Sequence, residues 1–481
     1  MTLAGELRSL LAEAAAGANR EHADALTALA RKLNGPLKVA IAGRMKAGKS
    51  TLLNALIGER LAPTDASECT RIVTWYEFAS EYRVAAEMTG GNSHDLPFRR
   101  ATDGQLIIDM GGVEAATVER LVVGWPSTRL REMTLIDTPG LDSLSPDTAE
   151  RTMDAIAGDD ERREADAVLY LMRHAHRSDI AFLEAFHDAG ARLGTPVNSI
   201  AVLSRVDEIG AGRLDAVVSA ELIARRYEAD PRVRGLAATV LSVACLMAET
   251  AGTLEESEAE SLRLLAGEEE ATREFLLLSA DHFREPGLGP LTIEKREGLL
   301  DRLGMFGVRF AIYAHLTGQW TSATDLARLL LAQSGLPALQ ESIHGRFASR
   351  SQQLISRSVL LGLAALSESG ALSASALRRL DQLESGAHEF AELAMLDLVM
   401  SGDAEFSVAE RDEAERITGS GSLAARAGCA DEPGTEIQAA AIVGVARWRE
   451  RAADPLASRT TVRCAETMAR CYEAIFAAAS S

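Results

Sequence analysis

Residues 43–50, Gly-Arg-Met-Lys-Ala-Gly-Lys-Ser, constrain the fold of this chain more than any other segment. Two glycines are separated by four residues, and the second is followed by lysine and serine. A short apolar strand, residues 39–42, precedes the segment, and a helical pattern begins at Ser50. A strand, a glycine-rich turn and a helix in this order predict a loop whose backbone N–H groups surround phosphate groups.

The side chains of this loop predict a nucleotide triphosphate site. We expect Lys49 to reach the β- and γ-phosphates and the Ser50 hydroxyl to hold Mg²⁺. A chance match in a turn is the alternative interpretation, but both flanking elements are present in the sequence. The remaining predicted nucleotide contacts of the loop are Gly43, Arg44, Met45, Lys46, Ala47, Gly48 and Thr51.

Two later segments have the order expected of a nucleotide switch. Asp137-Thr-Pro-Gly140 follows the apolar run 133–136. We expect Asp137 to reach Mg²⁺ through water and the Gly140 N–H to sense the γ-phosphate. Thr70 lies between this segment and the loop, and we expect it to close over Mg²⁺ when the γ-phosphate is present. A solvated loop residue is the alternative interpretation of Thr70.

Residues 204–207, Ser-Arg-Val-Asp, follow a further apolar strand and predict guanine recognition. The Asp207 carboxylate can accept hydrogen bonds from the guanine N1–H and 2-amino groups, which adenine does not offer. The predicted ligand is therefore GTP or GDP. Ser204 and Arg205 replace the Asn/Thr and Lys that are typical of GTPases, although the planar guanidinium of Arg205 can stack on a base. Ser242 and Val243 occupy the usual position of the last guanine-binding loop, which is a weak signal alone.

The residue after Gly140 bears on hydrolysis. Ras-like GTPases place a water-orienting glutamine there, and this chain has Leu141. Arg44 and Lys46 are two extra cations within the loop, and we expect Lys46 to offset charge that develops between the β- and γ-phosphates. The alternative is that both side chains face solvent or an acidic neighbour. The predicted catalytic residues are Lys46, Arg44, Thr70 and Lys49.

The whole chain of 481 residues is long enough for two or three domains. Apolar strands alternate with helices through residues 35–250, which predicts an α/β domain with a mostly parallel sheet and helices on both faces. Residues 251–481 carry leucine, alanine and arginine at helical spacing between short breaks, which predicts an elongated antiparallel α-helical bundle. Residues 1–34 predict a helix that packs on this bundle.

Charge and cysteine content exclude several classes of function. The net charge of -20 argues against nucleic acid as a partner. Five cysteines without a CxxC pair indicate reduced thiols in a cytoplasmic protein, and no secretory signal or spanning run is expected. Cys464 and Cys471 share one face of a predicted helix. A core stripe is favoured over a metal site because no histidine accompanies them in the sequence.

Several segments, in this order, resemble the bacterial dynamin-like GTPases, in particular the isoniazid-inducible family of actinobacteria. The similarity extends over nearly the whole chain. Its segments are GRMKAGKSTLLNAL (43–56), APTDASECTRIVTWYEF (62–78), LIDTPGLDSL (135–144), LSRVDEIGAG (203–212), GMFGVRF (304–310) and HEFAELAMLDLV (388–399).

The resemblance implies properties that residue spacing alone does not show. It implies a GTPase head on a helical bundle joined by the first helix, and hydrolysis stimulated by dimerisation through the nucleotide faces. It also implies remodelling of the plasma membrane from its cytoplasmic face under envelope or drug stress. In relatives, a loop residue at the position of Lys46 compensates charge, and residues 174–179 fall where relatives make contacts across the dimer.

A lipid-binding tip is a further expectation from the resemblance, and residues 346–375 are its candidate. Arg346, Arg350 and Arg357 share a helical face and precede an apolar run that includes Leu360 and Leu361. A basic amphipathic stretch suits a lipid surface. An ordinary bundle helix with solvated arginines is the favoured alternative.

Two other functions remain open at the level of the sequence. One is a switch GTPase of the Era-like type, against which the acidic charge and the long helical region argue. The other is a poorly hydrolysing GTP-binding partner of a second, paralogous dynamin-like protein, which Leu141, Ser204 and Arg205 keep open.

Overall fold

A computed structural model describes residues 3–63, 72–89, 91–101, 104–139, 165–173, 196–386, 388–429 and 433–480. Its main sheet has nine strands in the order β11-β10-β9-β1-β8-β2-β7-β3-β4, and β5 and β6 form a separate hairpin. The strands are β1 (Leu37–Gly43), β2 (Thr74–Phe78), β3 (Arg83–Met88), β4 (Ser93–Asp95), β5 (Phe98–Arg100), β6 (Leu106–Ile108), β7 (Val118–Trp125), β8 (Met133–Asp137), β9 (Ala167–Met172), β10 (Ser199–Leu203) and β11 (Val240–Ser242).

The five consecutive strands β11, β10, β9, β1 and β8 are all parallel, whereas β2 runs antiparallel to β8. This confirms the predicted mostly parallel sheet. Every residue of β9 and β10 is buried, as expected for strands covered on both faces. Because these strands are parallel, their carboxyl ends lie at the same edge of the sheet. The segments that follow β1, β8, β10 and β11 therefore meet there.

Helices make up most of the remaining chain. The first two are Leu3–Gly17 and Arg20–Asn34, and Lys49–Ile57 follows β1. The others are Ala216–Ala229, Pro231–Arg234, Cys245–Thr253, Glu256–Ala266, Glu270–Leu276, Ala280–Phe283, Ile293–Leu316, Ala323–Gln333, Leu336–Arg346, Ser351–Glu368, Ala374–Gly386, His388–Ser401, Val408–Ile417, Leu423–Ala427, Gly434–Ala452 and Arg459–Ala479.

The helical region after residue 251 packs into two separate hydrophobic clusters. Helices between 256 and 333 pack around Leu203, Val206 and Met247, beside the end of β10. Helices from 336 onward share a cluster with the first two helices and one face of the sheet. Helical periodicity predicted a single bundle over residues 251–481, because periodicity does not reveal which helices share a core.

The N-terminal region forms two helices rather than the single predicted one. Asn19 interrupts it, since its side chain accepts a hydrogen bond from the His22 N–H at 2.9 Å and caps the second helix. Both helices pack against Ser351–Glu368. Glu13 adds an ion pair with Arg379 at 2.8 Å.

Candidate nucleotide-binding site

The turn between β1 and the helix Lys49–Ile57 has the backbone geometry of a phosphate-binding loop. Gly43 has φ 148°, and a Cβ added there would lie 2.5 Å from the Leu171 carbonyl oxygen. Gly48 has φ 93° and caps the helix. Lys46 takes φ 60°, a left-handed conformation that is uncommon outside glycine. The glycine spacing read from the sequence therefore reflects two positions at which this backbone strongly disfavours a side chain.

Lys49 lies across the loop rather than pointing to solvent. Its ammonium donates hydrogen bonds to the carbonyl oxygens of Gly43 at 3.1 Å and Arg44 at 3.2 Å. The residue is only 8% exposed. The loop thus holds a buried cation above its own backbone, where a phosphate group is expected.

Ser50 and Asp137 meet beside this cation, although they are far apart in the chain. The Ser50 hydroxyl donates to Asp137 Oδ2 at 3.0 Å. The other carboxylate oxygen, Oδ1, is buried and has no hydrogen-bond partner. Burial raises the pKa of Asp137, against the lowering effects of Lys49, the Ser50 hydroxyl and the Thr138 backbone. A hydroxyl and a buried carboxylate with a free oxygen fit the ligand preference of Mg²⁺.

The base side of the site is built by the loop after β10. Arg205 Nε donates to the Lys46 carbonyl oxygen at 2.6 Å, which ties this loop to the phosphate loop. Ser204 is 1% exposed and its hydroxyl donates to the Met172 carbonyl at 3.3 Å. Arg205 also pairs with Glu208. In this conformation Arg205 positions backbone, which is a different role from the stacking expected from the sequence.

Asp207 lies against a helix from the C-terminal region. The helix Ile293–Leu316 kinks at Gly304 (φ 65°, ψ 173°), and a Cβ added there would lie 3.0 Å from Asp207 Oδ2. Burial raises the pKa of Asp207. Gly304 belongs to the segment 304–310, so this segment lies beside the expected base-reading carboxylate.

Ser242 ends β11 and Val243 begins the adjoining loop, and a second contact joins this segment to the helical region. The Ala244 N–H donates to the Ser334 carbonyl at 2.8 Å. A Cβ added at Gly335 would lie 2.2 Å from the Ser242 carbonyl oxygen. The two predicted base-side segments thus both touch the helical region outside the sheet domain, one at the kink of a helix and the other at a turn between two helices.

Asn54 is a site residue that the sequence analysis missed. Its Oδ1 accepts from the N–H groups of Leu61 at 2.9 Å and Ala62 at 2.7 Å, and its amide donates to Glu249 at 3.0 Å. It is 1% exposed. Asn54 therefore fixes the segment that leads toward Thr70. In the sequence, the signal for this role was a polar amide among the apolar residues of the helix that follows the loop.

Some predicted residues lie outside the described part of the chain. Thr70, Gly140, Leu141 and residues 174–179 are among them. Of the two extra cations, Lys46 is exposed and Arg44 is partly buried.

The side chains of the predicted lipid-binding stretch are largely buried or paired within the helical region. Arg350 is 3% exposed, and Leu360 and Leu361 are 6% and 5% exposed. Arg346 pairs with Glu415 at 2.6 Å and Arg357 pairs with Asp397 at 3.2 Å. In this structure these side chains therefore hold helices together, and the three arginines are paired or buried rather than solvated as the alternative interpretation expected. None of the described helices is long and apolar enough to cross a membrane.

Comparison with known proteins identifies the family. Residues 39–189 match the Dynamin family model. The chain is 37% identical over 473 residues to the isoniazid-induced protein IniC of Mycobacterium tuberculosis, which covers 96% of this chain and 95% of that protein. The chain belongs to the bacterial dynamin-like family of IniC. The predicted resemblance is thus confirmed, and the sheet domain is a dynamin-family GTPase domain.

More distant relatives match shorter stretches. The bacterial dynamin-like protein of Nostoc punctiforme is 33% identical over 118 residues, which is 22% of this chain and 17% of that protein. A solved bacterial dynamin pair, described as a mechanism for long range sensing and tethering of membranes, covers 99% of this chain and 74% of its own. Its identity is 13% and its TM-score 0.32, too low for residue-level comparison.

Proposed function

We propose that this protein binds GTP with Mg²⁺ and hydrolyses it to GDP and phosphate, and that a dimer of nucleotide faces stimulates the reaction. The observation that carries the proposal is the Ser50–Asp137 pair beside Lys49. A buried carboxylate oxygen without a partner, Asp137 Oδ1, lies next to a hydroxyl and a buried ammonium. This arrangement has a cation position and a phosphate position side by side.

Each residue has a defined role in the proposal. Lys49 exchanges its bonds to loop carbonyls for bonds to phosphate oxygens, and Ser50 and Asp137 hold the metal position. When bound, Mg²⁺ neutralises charge on the β- and γ-phosphates. Asp207 accepts from the guanine edge, which selects GTP over ATP. Lys46 compensates charge that develops on the bond between the β- and γ-phosphates.

Exposure on the phosphate loop supports a dimer. Met45 is 47% exposed, and the neighbouring Lys46 is exposed as well. The Leu141 side chain offers no polar atom with which to orient water, so completion of the site by a second copy accounts for catalysis. We place the dimer peripherally at the inner face of the plasma membrane, where it remodels or maintains the membrane under envelope or drug stress. The isoniazid-induced relative supports the link to drug stress.

The deciding experiment is GTP turnover measured against protein concentration, with ATP as a control and with liposomes present or absent. We expect specific activity to rise with concentration, to rise further with liposomes, and to be small with ATP. Flat and slow GTP turnover at every concentration would contradict the dimer. Guanine nucleotide binding without turnover would instead favour a partner subunit of a paralogous dynamin-like protein.

A further inference from the structure

His388, Glu392 and Cys471 converge in the helical region, far from the nucleotide site in the sequence. His388 and Glu392 are one helical turn apart at the start of His388–Ser401, and Cys471 comes from the packed helix Arg459–Ala479. The ligand-type atoms of all three lie within 4.8 Å of one another. The sequence analysis set a metal site at Cys471 aside for lack of a histidine, and the fold supplies one from 83 residues earlier.

Two distances between the ligand-type atoms of this cluster match the spacing of neighbouring ligands on a shared metal ion. His388 Nε2 lies 3.4 Å from Glu392 Oε1, and Cys471 Sγ lies 3.4 Å from the same oxygen. Tetrahedral zinc with bonds of about 2.0–2.3 Å to nitrogen, oxygen and sulfur separates neighbouring ligand atoms by roughly 3.3–3.6 Å. The two distances to Glu392 Oε1 are therefore those expected between neighbouring corners of such a tetrahedron, and the remaining pair of ligand atoms lies within 4.8 Å.

The histidine nitrogen gives an independent indication. His388 Nε2 is buried and makes no hydrogen bond, although it faces the Glu392 carboxylate. Its distance suits a hydrogen bond but its direction does not, as expected when both atoms point to a common centre. Glu392 is 5% exposed and Cys471 is fully buried, while a third of the His388 side chain is exposed.

We propose that His388 Nε2, Glu392 Oε1 and Cys471 Sγ bind a zinc ion that joins the helices His388–Ser401 and Arg459–Ala479. A nitrogen, an oxygen and a thiolate sulfur form a ligand set that zinc accepts, with water as the fourth ligand. Binding displaces the thiol proton, which Cys471 otherwise donates to Glu392. Arg426 lies 3.7 Å from Glu392 Oε1 and is the cation that competes for this carboxylate. The proposal does not depend on the GTPase activity.

The test uses the full chain, freed of nucleotide and stripped of metal with a chelator. After equilibration with zinc in excess Mg²⁺ and dialysis, we expect one zinc per chain. Losing a residue that merely supports a metal ligand typically weakens metal binding about 10- to 100-fold. His388→Gln and Cys471→Ser should each weaken zinc binding by more than this. Cys464→Ser is the matched control, because Cys464 is equally buried on the same helix and lies outside the cluster.

Cobalt provides a readout that a purely structural role would not change. Cobalt-loaded protein should show thiolate-to-cobalt absorption, retained in Cys464→Ser and absent in Cys471→Ser. Circular dichroism establishes that each variant is folded. If Cys471→Ser does not fold, His388→Gln decides the question, since its side chain is partly exposed. Zinc that fails to be retained by the wild type, or cobalt–thiolate absorption that persists in Cys471→Ser, would overturn the proposal.

Discussion

At the scale of single residues, the buried Asp137 carboxylate serves the proposed metal site but lowers the stability of the fold. Its buried Oδ1 has no partner, and burial raises the pKa of the carboxyl group. The folded chain therefore binds this proton more tightly than the unfolded chain does. The charged form costs stability above the folded-state pKa, and the cost disappears as pH falls through that value toward the unfolded pKa of about 3.9.

We predict that Asp137→Asn raises the melting temperature of the nucleotide-free protein at neutral pH. The asparagine oxygen can still accept from Ser50, and the buried charge is gone. The gain should shrink as pH is lowered, while affinity for GTP with Mg²⁺ falls about tenfold or more, as for a lost bond to a charged group. Thermal melts at several pH values and nucleotide titrations check this. A lower melting temperature with unchanged Mg²⁺-dependent affinity would contradict it.

Lys46 tests the charge compensation. Lys46→Ala should lower GTP turnover by about 10²- to 10³-fold, the typical cost of removing one group that stabilises developing charge. Its GTP affinity should change little, because the proposed interaction strengthens mainly in the transition state. Lys46→Arg keeps the cation and is expected to retain most of the turnover. Equal losses of affinity and turnover in the alanine variant would remove the proposed role.

At the scale of elements, the kink in Ile293–Leu316 has a specific consequence for base recognition. An alanine at Gly304 would combine a strained backbone, costing about 1–3 kcal/mol, with a Cβ 3.0 Å from Asp207 Oδ2. We predict that Gly304→Ala weakens GTP binding at least about fivefold. Gly298→Ala is the control on the same helix, since nothing lies within 4 Å of its Cβ position. Nucleotide titration of both variants measures the difference, and equal affinities would refute the coupling.

The buried Arg350 guanidinium connects two elements of the helical region. It donates to the Glu415 carbonyl at 2.6 Å, to Thr418 Oγ1 at 3.1 Å and to the Gly345 carbonyl at 3.1 Å. We predict that Arg350→Ala lowers the free energy of unfolding by about 2–5 kcal/mol, because buried oxygens lose their donors. The exposed Arg378→Ala should cost about 0.5 kcal/mol or less. Urea denaturation compares the two, and similar values would disprove the structural role.

The burial of Arg350 was one of the features that the sequence did not predict. Glycine spacing and the Ser50–Asp137 order predicted the phosphate edge, because local motifs determine a loop after a parallel strand. From the sequence, the segment with Arg350 and Leu360 could not be distinguished from a lipid-facing stretch. Amphipathic periodicity shows that a helix has an apolar face, but not what that face contacts. The strands β3 to β7, the approach of Gly304 to Asp207 and the proximity of His388 to Cys471 depend on long-range packing that local patterns do not encode.

At the scale of the whole molecule, both base-side loops contact the helical region. Gly304 touches Asp207, and Ser334 accepts a hydrogen bond from the Ala244 N–H. A nucleotide that orders these loops also biases the helices packed on them, because the packed contacts are shared. The pair Gly434–Ala452 and Arg459–Ala479 packs mainly on itself and on other helices of its own cluster.

We therefore predict that GTP slows amide hydrogen exchange in residues 304–310 and 336–343 but leaves residues 440–450 nearly unchanged. Local opening has to break the contacts that nucleotide binding strengthens, so protection should rise where the loops and helices meet. Hydrogen exchange with mass spectrometry measures this, with ATP as the ligand control and Gly304→Ala as the coupling control. Protection confined to the loops 43–50 and 204–207 would mean that the nucleotide orders its own site without biasing the helical region. Protection at 440–450 as large as at 336–343 would instead indicate a uniform rise in global stability rather than coupling through these two contacts.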